Sequence, residues 1–356
     1  MSEELTYKDA GVDIEKARQA HKKIEALVKE TFDLRKGKFG SILGEFGHYA
    51  ALIDIGGGKA LALHTDNVGT KVFVAQLMDK YDTVGIDCVA MNANDLICVG
   101  AEPIALIDYL AVQESDPHII AEIMKGLVEG AKEAGMMIIG GETAIVPELI
   151  NGVREKRGFD LSALSVGVVE KDKIILGEKI NTGDVVIGLR STGIHSNGLT
   201  LARKALLETA RLSIHDNLPG TNVNTGSALL VPTKIYVKEV LAVINNFEVT
   251  GLAHITGGSF SKLERLTKGR VGFELDHLPQ PQPIFEAIQN AGNVSTREMY
   301  KTFNMGIGFC IITPQKNAEG VISTCKKHGS EAQIIGITSK RSGVRIFTPS
   351  GETVSL

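Results

Sequence analysis

Two apolar runs joined by three consecutive glycines constrain the fold of this chain more than any other feature. Residues 49–55 and 59–65 are rich in apolar side chains, and Gly56-Gly57-Gly58 separates them. This pattern predicts a β-hairpin. Strand and helix patterns then alternate as far as residue 139. A hairpin combined with such alternation favours an α/β (α+β) fold over a plain doubly wound sheet.

The length of the chain indicates two domains, because 356 residues are many for a single hydrophobic core. The stretch 171–183 is polar and rich in turn residues. We place the boundary there and predict domains at 1–172 and 173–356. The second domain shows strand–loop–helix patterns whose loops lie at 191–198 and 256–259, so we expect an α/β arrangement in it.

Composition and charge argue against several classes of protein. The formal net charge is −4, whereas a general nucleic-acid binder normally carries a basic face. No apolar run approaches the roughly 20 residues of a membrane span, and the N-terminus lacks the apolar core of a signal peptide. The four cysteines are scattered, which favours reduced thiols near the core over a zinc site or a disulfide framework. We predict a cytoplasmic protein without nucleic-acid or membrane partners.

A turn after the second hairpin strand indicates a nucleotide site. Asp66 follows the strand, and Gly69, Thr70 and Lys71 come directly after it. A carboxylate, free backbone N–H groups and an ammonium within a few residues suit a metal-bound polyphosphate. The two common nucleotide motifs, the P-loop and Gly-x-Gly-x-x-Gly, do not occur in the sequence.

Two further acids occupy unusual positions. Asp95 belongs to a strongly apolar helix predicted over 83–100, and Glu142 follows a short strand in Gly140-Gly141-Glu142-Thr143. Taken singly, Asp66 could cap a turn, Asp95 could lie on a solvated helix face, and Glu142 could be a loop acid. Together the three carboxylates favour a site for ATP and Mg²⁺, because phosphoryl transfer needs acids to hold the metal.

Two histidines and the N-terminal arm each allow two interpretations. His195 lies in a glycine-containing loop before a helix, and His254 lies at a strand end before Gly257-Gly258. Each could contact a phosphorylated substrate or transfer a proton, or could simply pack at a domain edge. The arm around Lys8 shows no periodicity, and its position alone favours a frayed terminus over a flap.

These motifs, taken in order, resemble the phosphoribosylformylglycinamidine cyclo-ligase family, also called aminoimidazole ribonucleotide synthetase. The resemblance runs from about residue 5 to about residue 340 and is carried by segments 6–14, 66–71, 85–87, 94–96, 100–103, 140–143, 193–198, 232–238, 254–258 and 299–308. Asn67, Ile194 and Ser259 depart from the family's usual Gly, Pro and Gly.

The resemblance implies an activity, a cofactor set and a partner. The family carries out the fifth step of purine synthesis, in which formylglycinamidine ribonucleotide and ATP give 5-aminoimidazole ribonucleotide, ADP and phosphate. ATP is expected to activate the formyl oxygen before the ring closes. The enzymes are Mg²⁺-dependent homodimers that pair through strands of their N-terminal domains, with the nucleotide near that interface and the C-terminal domain enclosing the substrate.

The resemblance also assigns roles to individual residues. It implies catalytic roles for Asp95, His195 and His254, and metal ligation by Asp66, Asp95 and Glu142. It implies ATP contacts for Lys8, Asp66, Gly69, Thr70, Lys71, Glu142 and Thr143, with Lys8 in a flap over the nucleotide. It implies substrate contacts for Ser196, Asn197, Gly257 and Gly258.

Two other functions fit the same residues. One is another ATP-using enzyme of the same superfamily, similar to selenide water dikinase, thiamine-phosphate kinase, the hydrogenase-maturation protein or the glutamine-dependent amidotransferase. The other is a nucleotide-binding module without turnover. The three acids Asp66, Asp95 and Glu142 argue against the second possibility.

Overall fold

The chain forms two mixed β-sheets in a computed structural model, which describes residues 4–356 apart from the side chains of Ile14, Glu15 and Arg18. The first sheet has the order β1-β2-β3-β6-β4-β5. Its strands are β1 (Ile42–Leu43), β2 (Ala51–Gly56), β3 (Lys59–Asn67), β4 (Glu102–Val112), β5 (Met137–Ile145) and β6 (Phe159–Glu170). Strands β4 and β5 are parallel, and the other neighbours are antiparallel. Strands β2 and β3 confirm the predicted hairpin.

Helices cover one face of the first sheet. The helices of this half are α1 (Ile14–Lys29), α2 (Lys71–Met78), α3 (Val84–Ile97) and α4 (Pro117–Ala134). Asp116 caps α4 by accepting hydrogen bonds from the amides of His118 and Ile119, and Gly135 ends the helix with a φ of 71°. Helix α3 packs on α4 and on strands β3, β4 and β6. On the opposite, open face Ile107 and Tyr109 of β4 are exposed.

The second sheet has the order β13-β12-β9-β11-β7-β10-β8. Its strands are β7 (Val185–Arg190), β8 (Gly251–His254), β9 (Gly272–Leu275), β10 (Ile307–Thr313), β11 (Ala332–Ser339), β12 (Val344–Phe347) and β13 (Thr353–Ser355). Strands β9 and β12 are parallel, and the other neighbours are antiparallel. The α-helices of this half are α5 (Leu199–Arg203), α6 (Thr225–Leu230), α7 (Val237–Asn246), α8 (Leu263–Thr267), α9 (Pro283–Gly292), α10 (Thr296–Thr302) and α11 (Ala318–Lys327). A π-helical segment, Lys204–Thr209, continues α5, and short 3-10 turns lie at Phe32–Arg35, Lys171–Lys173, Ser259–Lys262 and Gln315–Asn317.

The two mixed sheets confirm the predicted α/β (α+β) class. The first sheet ends at Glu170 and the second begins at Val185, so the predicted boundary after residue 172 lies between them. All four cysteines are buried. No helix within residues 4–356 has both the length and the apolarity needed to cross a membrane.

Helix α3 is the central element of the first half, because every one of its residues except Ile86 is buried. It approaches α4 so closely that two glycines are required at the contact. A Cβ atom on Gly85 would lie 2.2 Å from the backbone nitrogen of Leu127, and a Cβ on Gly126 would lie 2.1 Å from the carbonyl oxygen of Asp82. Backbone atoms cannot move aside as a flexible side chain can, so a larger residue forces the helices apart.

We expect Gly85→Ala to lower the free energy of unfolding by about 3 kcal/mol, because the added methyl group overpacks the contact between α3 and α4. Urea unfolding followed by circular dichroism measures the change. Gly140→Ala is the control, since its Cβ would meet only Ile107 at 3.9 Å, and we expect it to stay within about 0.5 kcal/mol of wild type. Equal stability of Gly85→Ala and wild type would contradict the close contact.

Candidate functional site

Helix α3 carries polar side chains that are buried against the second half of the chain. The Asn94 side chain donates to the carbonyl of Lys234 at 2.9 Å and accepts from the amide of Tyr236 at 2.9 Å. Asp87 and Asp95 on the same helix also bond to residues of the second half. Buried polar groups need partners, and these partners are supplied across the boundary between the sheets. The candidate site lies along this boundary.

Asp95 and His254 form the centre of the site. Nδ1 of His254 lies 2.7 Å from Oδ1 of Asp95, and Nε2 of His64 lies 3.5 Å from Oδ2 of the same carboxylate. Burial opposes ionisation of Asp95, but the hydrogen bond from His254 and nearby positive charge outweigh it, so its pKa falls to about 2. Burial lowers the pKa of His254, although Asp95 acts in the opposite direction. Asp95 is therefore an anion that orients the imidazole of His254.

A second carboxylate lies close to this pair. Asp66, at the end of β3, accepts a hydrogen bond from the amide of Asn67 at 2.8 Å. Its pKa is raised, first by burial and then by the charge of Asp95. A buried carboxylate whose ionisation is opposed by a neighbouring carboxylate suits a cation beside it. The predicted pairing of Asp66 with Asp95 is consistent with this geometry.

Lys262 supplies positive charge at this position, and sequence analysis missed it. Its ammonium donates to the hydroxyl of Thr256 and lies 5.3 Å from the centre of the Tyr49 ring. Its charge acts on both Asp66 and Asp95. Burial lowers the pKa of Lys262, and the two acids oppose that shift. The only available signal was its position four residues after Gly258, in the 3-10 turn that follows a predicted substrate loop.

Lys71 does not lie where a phosphate could touch it. Its side chain is fully buried, and its ammonium donates to Oδ1 of Asp87 at 2.9 Å and to the carbonyl of Val231 at 2.6 Å. A buried ammonium with two short protein contacts is not available to a ligand in this arrangement. The expected phosphate contact of Lys71 is therefore corrected to an ion pair with Asp87.

Glu142 and Thr143 lie on exposed positions of β5, away from the other acids. One row of paired residues crosses the sheet and consists of Asn67, Ser162, Tyr109 and Glu142. Paired residues point to one face, so Glu142 points to the face opposite Asp66 and lies three strand spacings away, about 14 Å. The predicted set of Asp66, Asp95 and Glu142 is thus not assembled within one chain. Among residues 4–356, no group of three or more potential metal ligands is close enough to hold an ion.

The remaining predicted loops do come together. A Cβ on Gly69 would lie 3.9 Å from the carbonyl of Ser196, and the hydroxyls of Thr70 and Thr200 lie 3.0 Å apart. A Cβ on Gly257, which precedes Gly258 in its loop, would lie 3.0 Å from Oδ1 of Asn197. The predicted nucleotide turn therefore adjoins the loop at 193–198, and that loop adjoins the second predicted substrate loop.

His195 is buried and adopts a positive φ of 61°. Its Nε2 accepts from the amide of Thr192 at 3.3 Å, and within the described chain its Nδ1 has no hydrogen-bond partner. Burial lowers the pKa of His195 well below its usual range, so the ring is neutral. A neutral, packed ring agrees with the domain-edge interpretation more closely than with a cationic phosphate contact.

The N-terminal arm is ordered over residues 4–13 and packs on the second half, so the interpretation as a frayed terminus is wrong. The amide of Leu5 donates to the carbonyl of Gly292 at 3.2 Å, and the amide of Tyr7 donates to Oε1 of Glu298 at 3.1 Å. Tyr7 also interacts with the backbone of Gly198, next to the predicted substrate loop. The exposed ammonium of Lys8 lies 3.4 Å from Oδ2 of Asp13.

A groove of about 710 Å³ lies elsewhere. Residues 171–179 and the end of α7 line it, and its described lining residues include none of the predicted site residues. Lysines and acidic residues both line this groove, but its described lining contains no cluster of side chains suited to catalysis. We therefore place the candidate site at the α3 boundary instead.

Family models match both halves of the chain. The model "AIR synthase related protein, N-terminal domain" matches residues 47–169, and the corresponding C-terminal model matches residues 181–348. Phosphoribosylformylglycinamidine cyclo-ligase of Methanobrevibacter smithii is 47% identical over 352 residues, which are 99% of each chain. The enzymes of the same name from Methanocaldococcus jannaschii and Pyrococcus horikoshii are 50% and 51% identical over 93% and 91% of this chain, and over 91% and 92% of their own.

Solved structures of lower identity share the fold. HypE in its complex with HypF has a TM-score of 0.62 at 19% identity, covering 87% of this chain and 92% of that one. Thiamine-monophosphate kinase from Stenotrophomonas maltophilia has a TM-score of 0.61 at 17% identity, covering 91% and 95%. PurL of T. maritima complexed with ATP has a TM-score of 0.58 at 15% identity, covering 90% of this chain and 45% of its own.

Buried histidines predict that stability falls in mild acid. Burial lowers the pKa of His48 from 6.5 to about 4, and lowers those of His195 and His254 as well. Between pH 6.5 and 4 the unfolded chain takes up a proton at His48 and the folded chain does not, and the lowered pKa values of His195 and His254 act in the same direction. Each such histidine therefore removes up to about 1.4 kcal/mol of unfolding free energy per pH unit in this window, and the loss disappears above pH 6.5.

Urea unfolding between pH 4.5 and 7.5 measures this dependence. We expect His48→Gln to reduce the proton uptake on unfolding at pH 5.5 by about one proton. His277→Gln is the control, since the His277 side chain is 73% exposed. An unchanged pH slope in His48→Gln would contradict a neutral His48 in the folded state.

Proposed function

Because the chain belongs to the phosphoribosylformylglycinamidine cyclo-ligase family, we propose that the boundary around α3 is where it closes the imidazole ring of its substrate. The enzyme uses ATP to convert formylglycinamidine ribonucleotide to 5-aminoimidazole ribonucleotide, a step of purine biosynthesis. The observation that carries this function is 47% identity over 99% of both chains. At that coverage both halves of the relative have counterparts here.

The nucleotide side of the proposed site comprises the Asp66 turn and Asp95. Mg²⁺ commonly takes one or two carboxylates and fills its other positions with water and phosphate oxygens. Asp66 and Asp95 fit this requirement, because Asp66 is close enough to feel the charge of Asp95, and its burial together with that charge favours a cation there. When bound, the ion would neutralise the charge of the phosphates. Gly69 and Thr70, in the turn after Asp66, would contact the phosphates. Lys262 would supply the positive charge near the phosphates that was expected of Lys71.

The substrate side comprises two loops and one histidine. Ser196 and Asn197 in the first loop and Gly257 and Gly258 in the second would contact the ribonucleotide. Asp95 holds Nδ1 of His254 at 2.7 Å, and the Asn94 side-chain amide lies 3.4 Å from Nε2. His254 would hold or move a proton at Nε2 once the substrate takes the place of the Asn94 amide. His195 stays a candidate for the same role at its unpartnered Nδ1.

The proposed chemistry consists of two balanced steps. The formyl oxygen attacks the γ-phosphorus of ATP, and ADP leaves. The substrate nitrogen that will close the ring then attacks the activated formyl carbon and loses a proton. The bond between that carbon and the phosphorylated oxygen breaks, and phosphate leaves with the oxygen. The protein contributes fixed charge and close positioning of the reacting nitrogen, which are general sources of rate acceleration.

Phosphate release from ATP, with and without formylglycinamidine ribonucleotide, tests this function. We expect release that depends on the ribonucleotide, and we expect Asp95→Ala to reduce it by at least about 100-fold, because both the His254 contact and one metal ligand are lost. Asp172→Ala is the matched control, since Asp172 is an exposed acid outside the site. Release that occurs only with thiamine phosphate or selenide would instead favour a sister enzyme, and binding of ATP without release would favour a module without turnover.

A homodimer is the proposed assembly, formed through the open face of the first sheet. Ile107 and Tyr109 lie on this face and are 42% and 45% exposed. Ile104, Met137 and Ile139 on the same two strands are also exposed. Exposed apolar patches of this kind mark interfaces. Glu142 shares the face with Tyr109, so pairing would bring Glu142 of each copy to the interface. The nucleotide contacts that the resemblance implies for Glu142, Thr143 and Lys8 would then come from the partner copy and from the N-terminal arm.

We expect the double change Ile107→Lys and Tyr109→Lys to convert the dimer to monomer at micromolar concentration, because two charges would have to be desolvated in each copy. Sedimentation velocity measures the change in mass. Ile337→Lys, at a 45% exposed position on β11 of the second sheet, is the control and should not alter the assembly. A wild-type chain that sediments as a monomer would overturn the proposed dimer.

A further inference from the structure

We propose that Asp87, held by Lys71 and Thr233, fixes the Ser196 hydroxyl as a hydrogen-bond acceptor, so that Ser196 meets a donor group of the ribonucleotide and not its phosphate. The inference rests on the proposed function, in which Ser196 contacts the substrate. We call Lys71, Asp87, Ser196, Val231 and Thr233 the Asp87 cluster.

The Asp87 cluster converges on one carboxylate oxygen. Oδ1 of Asp87 accepts from the Lys71 ammonium at 2.9 Å and from the Ser196 hydroxyl at 3.0 Å. It also accepts from the backbone amide of Thr233 at 2.7 Å and from the Thr233 hydroxyl at 2.6 Å. Asp87 and Lys71 are fully buried, and Thr233 is 1% exposed. Within the described chain, Oδ2 of Asp87 has no partner.

The cluster joins the two halves at the predicted substrate loop. Asp87 and Lys71 belong to the first half, whereas Ser196, Val231 and Thr233 belong to the second. A buried carboxylate that bonds to an ammonium and to neutral donors is costly to disturb, because losing one partner leaves charge without compensation. The cluster therefore holds the loop at 193–198 in a single position relative to the Asp66 turn.

The direction of each hydrogen bond decides what Ser196 can recognise. A serine hydroxyl has one proton and two lone pairs. A carboxylate oxygen can only accept, so Ser196 gives its single proton into the cluster, to Oδ1 of Asp87 at 3.0 Å or to Oγ1 of Thr233 at 3.1 Å. The Thr233 hydroxyl also gives its proton to Asp87, so the 3.1 Å contact between the two hydroxyls supplies no proton to Ser196. Ser196 is half-buried and has only lone pairs to offer a ligand.

A phosphate monoester is mainly an acceptor at neutral pH, and it would be repelled by a lone pair that faces it. A sugar hydroxyl or an N–H group of the substrate is a donor and fits Ser196. Asp87 and Thr233 are thus positioning residues for Ser196, and Lys71 is the counter-ion that stabilises the Asp87 carboxylate.

The first test compares the ribonucleotide with its 5′-dephosphorylated nucleoside in wild type and in Ser196→Ala. We expect Ser196→Ala to lower kcat/KM by the same factor, about 10-fold, for both compounds, because the lost contact does not involve the phosphate. A loss confined to the phosphorylated compound would overturn the inference, since it would place the phosphate at Ser196. No loss with either compound would also overturn it.

The second test removes one hydroxyl that acts on Ser196 only through the cluster. We expect Thr233→Val to raise KM for the ribonucleotide about 3- to 10-fold while KM for ATP stays unchanged, and we expect Thr233→Ser to restore the wild-type value. Equal changes in both KM values, or failure of Thr233→Ser to restore, would indicate a general packing defect and overturn the positioning role.

Hydrogen exchange separates this inference from the proposed function. We expect the amides of residues 194–197 to exchange at least about 5-fold faster in Thr233→Val than in wild type, with the wild-type rate restored in Thr233→Ser. This measurement needs no turnover. If the wild type released no phosphate with the ribonucleotide, the proposed function would fail alone, whereas unchanged exchange in Thr233→Val would overturn the positioning role alone.

Discussion

Helix α3 can be buried only because its polar side chains find partners in the second half of the chain. Asp87, Asn94 and Asp95 would each carry a large desolvation penalty inside a protein without such partners. Thr233, Tyr236 and His254 supply them at 2.6 to 2.9 Å. These contacts set the position of one sheet relative to the other. The predicted nucleotide turn and the predicted substrate loops meet because this helix lies between them.

Much of the fold could be predicted from local sequence patterns. The glycine-separated apolar runs predicted the hairpin of β2 and β3, and the apolar stretch at 83–100 predicted α3. Asp95 stood out because a carboxylate on so apolar a helix needs a special reason. Asp66 and Asp95 were grouped by their chemistry and by the family resemblance, since neither the strand pattern nor the helix pattern indicates how the two elements pack. The patterns that predicted the hairpin and α3 are local, so the sequence contains them.

The site predictions failed where contacts between residues that are distant in the sequence determine the position of a side chain. Glu142 also follows a glycine pair at the end of an apolar run, but a register shift between β4 and β5 and the pleat of the sheet turn it to the open face. Lys71 looked like a phosphate ligand because it ends a small-residue turn. Its actual partners, Asp87 and the carbonyl of Val231, are 16 and 160 residues away in the chain. Lys262 was missed because no motif connects it with Asp66 and Asp95, which lie 196 and 167 residues earlier in the chain.

The polar face of α3 also bears on how the chain folds as it is synthesised. The first half leaves the ribosome before Thr233, Tyr236 and His254 exist as residues. Until then, water must solvate Asp87, Asn94 and Asp95 along an open groove. Docking of the second half replaces that water with backbone amides, a hydroxyl and an imidazole. The polar face of α3 is therefore hydrated before the second half covers it, and the second half completes its own folding against that face.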